Sequence, residues 1–142
     1  MPKQLPQVQL QFCKYITEKL IKKPIASSFR QPAEKALKDK PSKKKYLDLV
    51  KNPMDLELIL SNLNEQKYTS VQEWKRDMHL ILENCQKFNG EDHPLTDMAK
   101  ELFDHLFNLY TEKIPETDEE FWQLRIAKKY SKLSQIIDSK PL

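Results

Sequence analysis

Two neutral polar side chains stand out in a chain that carries little other chemistry: the carboxamide of Asn89 and the phenol of Tyr46. An amide offers a donor and an acceptor without charge, and a phenol offers a hydroxyl on an apolar ring. Facing an apolar hollow, such a pair suits a ligand with a greasy stem and a neutral polar tip. The patterns that catalysis or metal binding need do not occur. His79, His93 and His105 lack metal-ligand spacing, and there is no His-Glu-x-x-His. Cys13 and Cys85 lie far apart with no Cys-x-x-Cys, which argues against a disulfide framework or a zinc site and fits a reducing compartment. Ser27 and Ser28 have no base placed for them by sequence. No enzyme activity, metal or cofactor is expected.

The elements that must position these residues follow from apolar spacing. Val71, Trp74, Met78, Ile81, Leu82, Cys85 and Phe88 recur every three or four residues, as on a helix facing a core. Ser70-Val71-Gln72-Glu73 is a capping box that opens this helix, and Asn89-Gly90 stops it. The Asn-Gly pair is by itself an ordinary helix stop, so spacing alone leaves Asn89 open between terminator and ligand contact. An earlier helix over about 6–22 carries Val8, Phe12, Ile16 and Leu20 on one face and ends at Pro24. Asp55 caps a short helix with Leu56, Ile59, Leu60 and Leu63, and a last core helix runs from Met98 past Tyr110. Between Pro24 and Pro53 lies a long connection with four prolines, read as a loop with one helical turn over 33–37 and an apolar anchor at Tyr46, Leu47, Leu49 and Val50. Behind Pro115, Thr117 and Glu120 form a second capping box, and Trp122, Ile126, Tyr130, Leu133 and Ile137 predict a fifth helix packed back on the rest.

The expected fold is therefore all-α: a left-handed antiparallel four-helix bundle over residues 1–114, with a C-terminal helical extension over 115–142. In an up-down bundle the long connection and the Gly90–Pro94 loop each follow an odd-numbered helix, so they meet at one end and bring Tyr46, Phe29 and Asn89 together. A single glycine in 142 residues excludes glycine-rich nucleotide loops. No apolar run is long enough to span a membrane. Lys and Arg total 24 against 21 acids, too even a balance to predict nucleic-acid binding by itself. The local cluster Lys35, Lys38, Lys40, Lys43, Lys44 and Lys45 is the place where nucleic acid or an acidic partner would bind, although no aromatic residue interleaves it.

Two blocks carry a family resemblance. Asn84-Cys85-Gln86-Lys87-Phe88-Asn89 is similar to the Asn-Cys-x-x-Tyr-Asn signature of bromodomains, with Phe88 for the tyrosine. Tyr46 through Pro53-Met54-Asp55-Leu56 resembles the family's Tyr-x-x-x-Ile-x-x-Pro-Met-Asp-Leu segment. The resemblance spans about residues 5–110. It implies non-catalytic recognition of acetylated lysine, on histone tails or another acetylated protein, by a nuclear module, expected to be a monomer. It implies that Asn89 donates to the acetyl carbonyl and that Tyr46 reaches the same oxygen through a water. Phe29, Ala33, Val50 (or Leu49), Phe88 and Leu95 would surround the stem and methyl. The chain departs from the family where Ser27-Ser28-Phe29 stands for the Trp-Pro-Phe shelf and Ala33 for the more usual valine. The alternative is a helical scaffold with a degenerate pocket, whose basic loop or fifth helix binds protein or nucleic acid.

Overall fold

A computed structural model describes residues 4–125. It is helical, with no strand among the described residues. The first helix, α1 (Gln7–Ile21), buries Leu10, Phe12, Cys13, Ile16, Thr17 and Leu20. Helix α2 (Lys40–Leu49) lies within the long connection, and α3 (Leu56–Asn64) packs on α1. Helix α4 (Val71–Asn89) is the longest element. The last core helix starts as α5 (Pro94–Ala99), continues through a π-helical stretch (Lys100–Phe107) and ends as α6 (Asn108–Tyr110). Residues 118–125 are helical again.

The α2 helix corrects the reading of the connection as a loop with one turn. That turn exists as a 3-10 segment at Ala33–Ala36, after another at Pro24–Phe29. The ten-residue α2 escapes periodicity analysis because it buries only Tyr46. Its start signals are nonetheless local: the Asp39 carboxylate accepts from Ser42 N at 3.0 Å, and Pro41 sits in the first turn. Those hydrogen bonds hold the Asp39 carboxyl below its ordinary range. The apolar anchor is also smaller than expected. Tyr46 and Val50 are buried, whereas Leu47 and Leu49 face solvent.

The π-helical stretch is a second departure. Its hydrogen bonds run i→i+5. Apolar residues four apart stay near one face in either geometry, so Phe103 and Phe107 are buried as periodicity predicts and the pattern does not distinguish the two helix types. At the C-terminal end the packing residue differs from the one predicted. Phe121, not Trp122, meets the bundle, with ring centroids 6.0 Å from Phe12 and 5.8 Å from Tyr15. Trp122 is exposed, and the rest of its predicted stripe, Ile126 to Ile137, lies outside the described residues.

In both capping boxes the bond to the cap hydroxyl forms at the predicted residues, and the return bond to the glutamate falls one residue earlier. Glu73 N donates to Ser70 Oγ at 3.3 Å, and the Glu73 carboxylate accepts from the backbone and hydroxyl of Thr69. Likewise Glu120 N donates to Thr117 Oγ1 at 3.1 Å, while Glu116 N donates to the Glu120 carboxylate.

The core is centred on Trp74, whose ring contacts Phe12 and Phe107 edge-on. His79 is half-buried and stacks edge-on against Phe107 at 5.9 Å. A polar group inside this core is fully paired: Trp74 Nε1 donates to Thr17 Oγ1 at 3.1 Å, and the Thr17 hydroxyl donates to Cys13 O at 2.7 Å. Burial pushes the neighbouring Cys13 thiol up to about 12, so it packs as an inert apolar group. Replacing Thr17 by Val keeps the shape but leaves the indole N–H buried and unpaired. Thr17→Val should cost about 1–3 kcal/mol in urea unfolding, read as a lower midpoint at unchanged slope.

Candidate functional site

The end of α4 is built by one backbone feature. Gly90 holds φ 89° and ψ 165°, a region only glycine occupies readily, and donates its N–H to Gln86 O at 2.9 Å. The helix is thereby cut off directly after Asn89, which keeps helical geometry as its last residue. The next turn is tied back by Thr96, whose hydroxyl donates to Gly90 O at 2.6 Å. His93 accepts from Leu95 N through Nδ1 at 3.0 Å and so caps α5.

The facing wall comes from the long connection. Arg30 donates from Nε to Ile21 O at 2.7 Å and from its guanidinium to Lys23 O at 2.9 Å, clasping the carbonyls at the end of α1. Its own carbonyl accepts from Glu57 N at 3.0 Å at the start of α3. These bonds fix Phe29 beside them, its ring 5.9 Å from Phe103. Further along, Asn84 on α4 donates to Asn52 O at 2.9 Å and pulls the segment before Pro53 onto the helix.

The walls enclose a cavity of about 60 Å³, lined by twelve residues that include Asn89, Tyr46, Phe29, Ala33, Phe88 and Leu95. Six of the seven residues singled out by sequence thus share one hollow. Val50 is the exception: it is 1% exposed, sealed in the core and outside the lining. Sequence reasoning missed Asn84 and Met54 in this wall. Asn84 had left a signal, since an amide within a buried apolar stripe must find a partner. Ser28 and Gln31 also line the hollow, where the departure from the shelf motif puts a hydroxyl.

No lining residue bears a formal charge. Phe29 and Phe88 are held as walls by ring partners, Phe88 meeting Tyr46 edge-on at 5.1 Å. Burial, and then the negative charge of Glu34, raise the Tyr46 phenol above its ordinary value, so the hydroxyl keeps its proton. Asn89 Nδ2 points at Cys85 Sγ, 3.5 Å away, a weak acceptor that a carbonyl oxygen would displace. By the roughly 10–15 Å³ that one water occupies, the space suits about four to six small atoms or waters. A larger cavity of about 380 Å³ lies between α1, α6 and residues 118–125, but its lining includes the charged Glu112, Lys113 and Arg125.

The bromodomain family model matches residues 13–101. This chain belongs to the bromodomain family. It is similar to SWR1 complex bromodomain subunit bdf1 of Schizosaccharomyces pombe, 32% identical over 78% of this chain and 19% of that protein. It also resembles Bromodomain-containing factor 1 of Saccharomyces cerevisiae, 31% identical over 72% of this chain and 15% of that protein. Bromodomain-containing factor 2 of the same yeast is 38% identical over 58% of this chain and 12% of its own length. The chain thus spans less than a fifth of these relatives. As a bromodomain it is a reader of acetylated lysine and not an enzyme.

Gly90 is the residue on which the placement of Asn89 turns. A Cβ there meets nothing within 4 Å, so any cost of substitution is conformational. Gly90→Ala should lower stability by about 1–3 kcal/mol in chemical denaturation and weaken ligand binding as well.

Proposed function

We propose that the hollow takes the acetyl end of a modified lysine, with Asn89 donating to the acetyl carbonyl and Tyr46 reaching that oxygen through an ordered water. Phe29, Ala33, Phe88 and Leu95 surround the methyl and the methylene stem. The observation that carries this reading is the convergence of a free-ended amide and a protonated phenol on a cavity without charged walls. Acetylation removes the lysine charge. An unmodified ammonium entering the same space would lose its hydration with no carboxylate to replace it, at a cost of several kcal/mol. The small volume suits acetyl better than longer acyl groups.

The proposed substrates are acetylated histone tails or other acetylated chromatin proteins, and the proposed setting is the nucleus. Support comes from the relative described as a SWR1 complex subunit. One amide hydrogen bond is worth roughly 1 kcal/mol net, and each buried CH₂ adds about 0.8. A single modified peptide should therefore bind at about micromolar affinity or weaker.

Calorimetric titration of acetylated and unmodified peptides tests the reading. Binding should require the acetyl group. Asn89→Ala should weaken it about tenfold or more, because the buried carbonyl then lacks its donor. The melting temperature should barely move, since the amide's partner among the described residues is the weakly accepting Cys85 thiol. Equal binding of unmodified peptides would refute the proposal.

A further inference from the structure

The rim of the hollow is electrically two-sided. The connection that supplies one wall carries seven lysines between residues 35 and 51, against only Asp39 and Asp48 in the same stretch and Glu34 just before it. All seven are exposed, and none has a salt-bridge partner among the described residues. Asp39 is already engaged in capping α2. The lysines are close to the hollow along the chain: Lys35 is two residues from Ala33, Lys45 is next to Tyr46, and Lys51 is three residues from Met54, all lining residues. Lys40 is six residues from Tyr46 on α2, about 9 Å along the helix axis. On the other side, Glu91 and Asp92 follow Asn89, and Asp97 follows Leu95. Glu91 is bonded to Lys100 at 2.5 Å, while Asp92 and Asp97 are exposed without a salt-bridge partner among the described residues.

We infer that the preferred ligand is an acetylated segment with acidic residues on one flank of its acetyl-lysine, the flank that passes over α2. This rests on the site proposed above and adds a selectivity that the hollow itself cannot supply. An extended peptide covers roughly 10 Å in three residues, which matches the reach from the hollow to Lys40. Aspartate or glutamate within that reach meets unpaired lysines, whereas the lysine-rich flanks of a basic tail meet like charge. The two-sided rim also favours a peptide over nucleic acid. A peptide can be acidic on one flank and neutral or basic on the other. A polyanion carries the same charge throughout, so it would set phosphates against Asp92 and Asp97.

The test uses the whole chain and four acetyl-lysine peptides of equal length: acidic on the N-terminal flank only, acidic on the C-terminal flank only, basic on both flanks, and neutral on both. One of the two acidic-flank peptides should bind about 3- to 10-fold more tightly than the basic one at low ionic strength. The advantage should shrink at about 0.5 M salt. The double variant K43E/K44E, on exposed positions, leaves five lysines against five acids, so it should abolish the advantage while leaving the neutral peptide's affinity unchanged. Equal affinities for all four, or tightest binding of the basic peptide, would overturn the flank inference and leave the acetyl-lysine site standing. Displacement of every peptide by duplex DNA, with loss of DNA binding in K43E/K44E, would overturn it in favour of a nucleic-acid surface. Failure of all four acetylated peptides to bind would remove the site reading and the inference together.

Discussion

The hydrogen bond from the Asn84 amide to Asn52 O joins the two halves of the site. Asn84 is 4% exposed, so its amide must be satisfied within the protein, and its partner is the backbone of the connection rather than another helix. The bond sets where Pro53 and Met54 lie and so where α2 can return along α4. Tyr46 reaches Phe88 only from that position. On the same helix, four residues before Phe88 and five before Asn89, one amide thus orders the wall that faces the other.

The other constraints support this arrangement from its ends. Arg30 ties the start of the connection to the carbonyl of Ile21, the last residue of α1, and to that of Lys23 just beyond it. Gly90 ends α4 in a conformation other residues avoid, and Thr96 fastens the turn that follows. Ser27-Ser28 precede Phe29, which is held because Phe103 packs against it and the neighbouring Arg30 anchors the backbone. Ser28 adds a hydroxyl to the lining of the hollow. Under the proposed reading the binding energy rests on one neutral amide, a phenol and modest apolar area, which leaves room for rim charge to set selectivity.

The four core helices were legible because each buries a stripe with helical spacing, and burial of that stripe is the reason they form. Helix α2 was not, because it forms from an Asp-capped, lysine-rich segment that buries one tyrosine and is held by its docking on α4. The same logic explains Phe121 and Trp122. Both fit an amphipathic pattern, and only the pairing with Phe12 and Tyr15 selects the first. Val50 illustrates the reverse: sequence marked it as apolar and near Tyr46, but could not say whether it faced the cavity or the core.

By itself the sequence determined the helical class, the stops at Pro24 and Gly90, the capping residues, and the two blocks that place Asn89 and Tyr46 in a recognisable family. These are local: each depends on side chains a few residues apart along one helix. Tertiary structure alone decided that Asn84 holds Asn52 across 32 residues, that Arg30 binds the end of α1, and that the cavity has uncharged walls. Those outcomes depend on which surfaces meet after the chain has turned back, and no periodicity within a single helix records them.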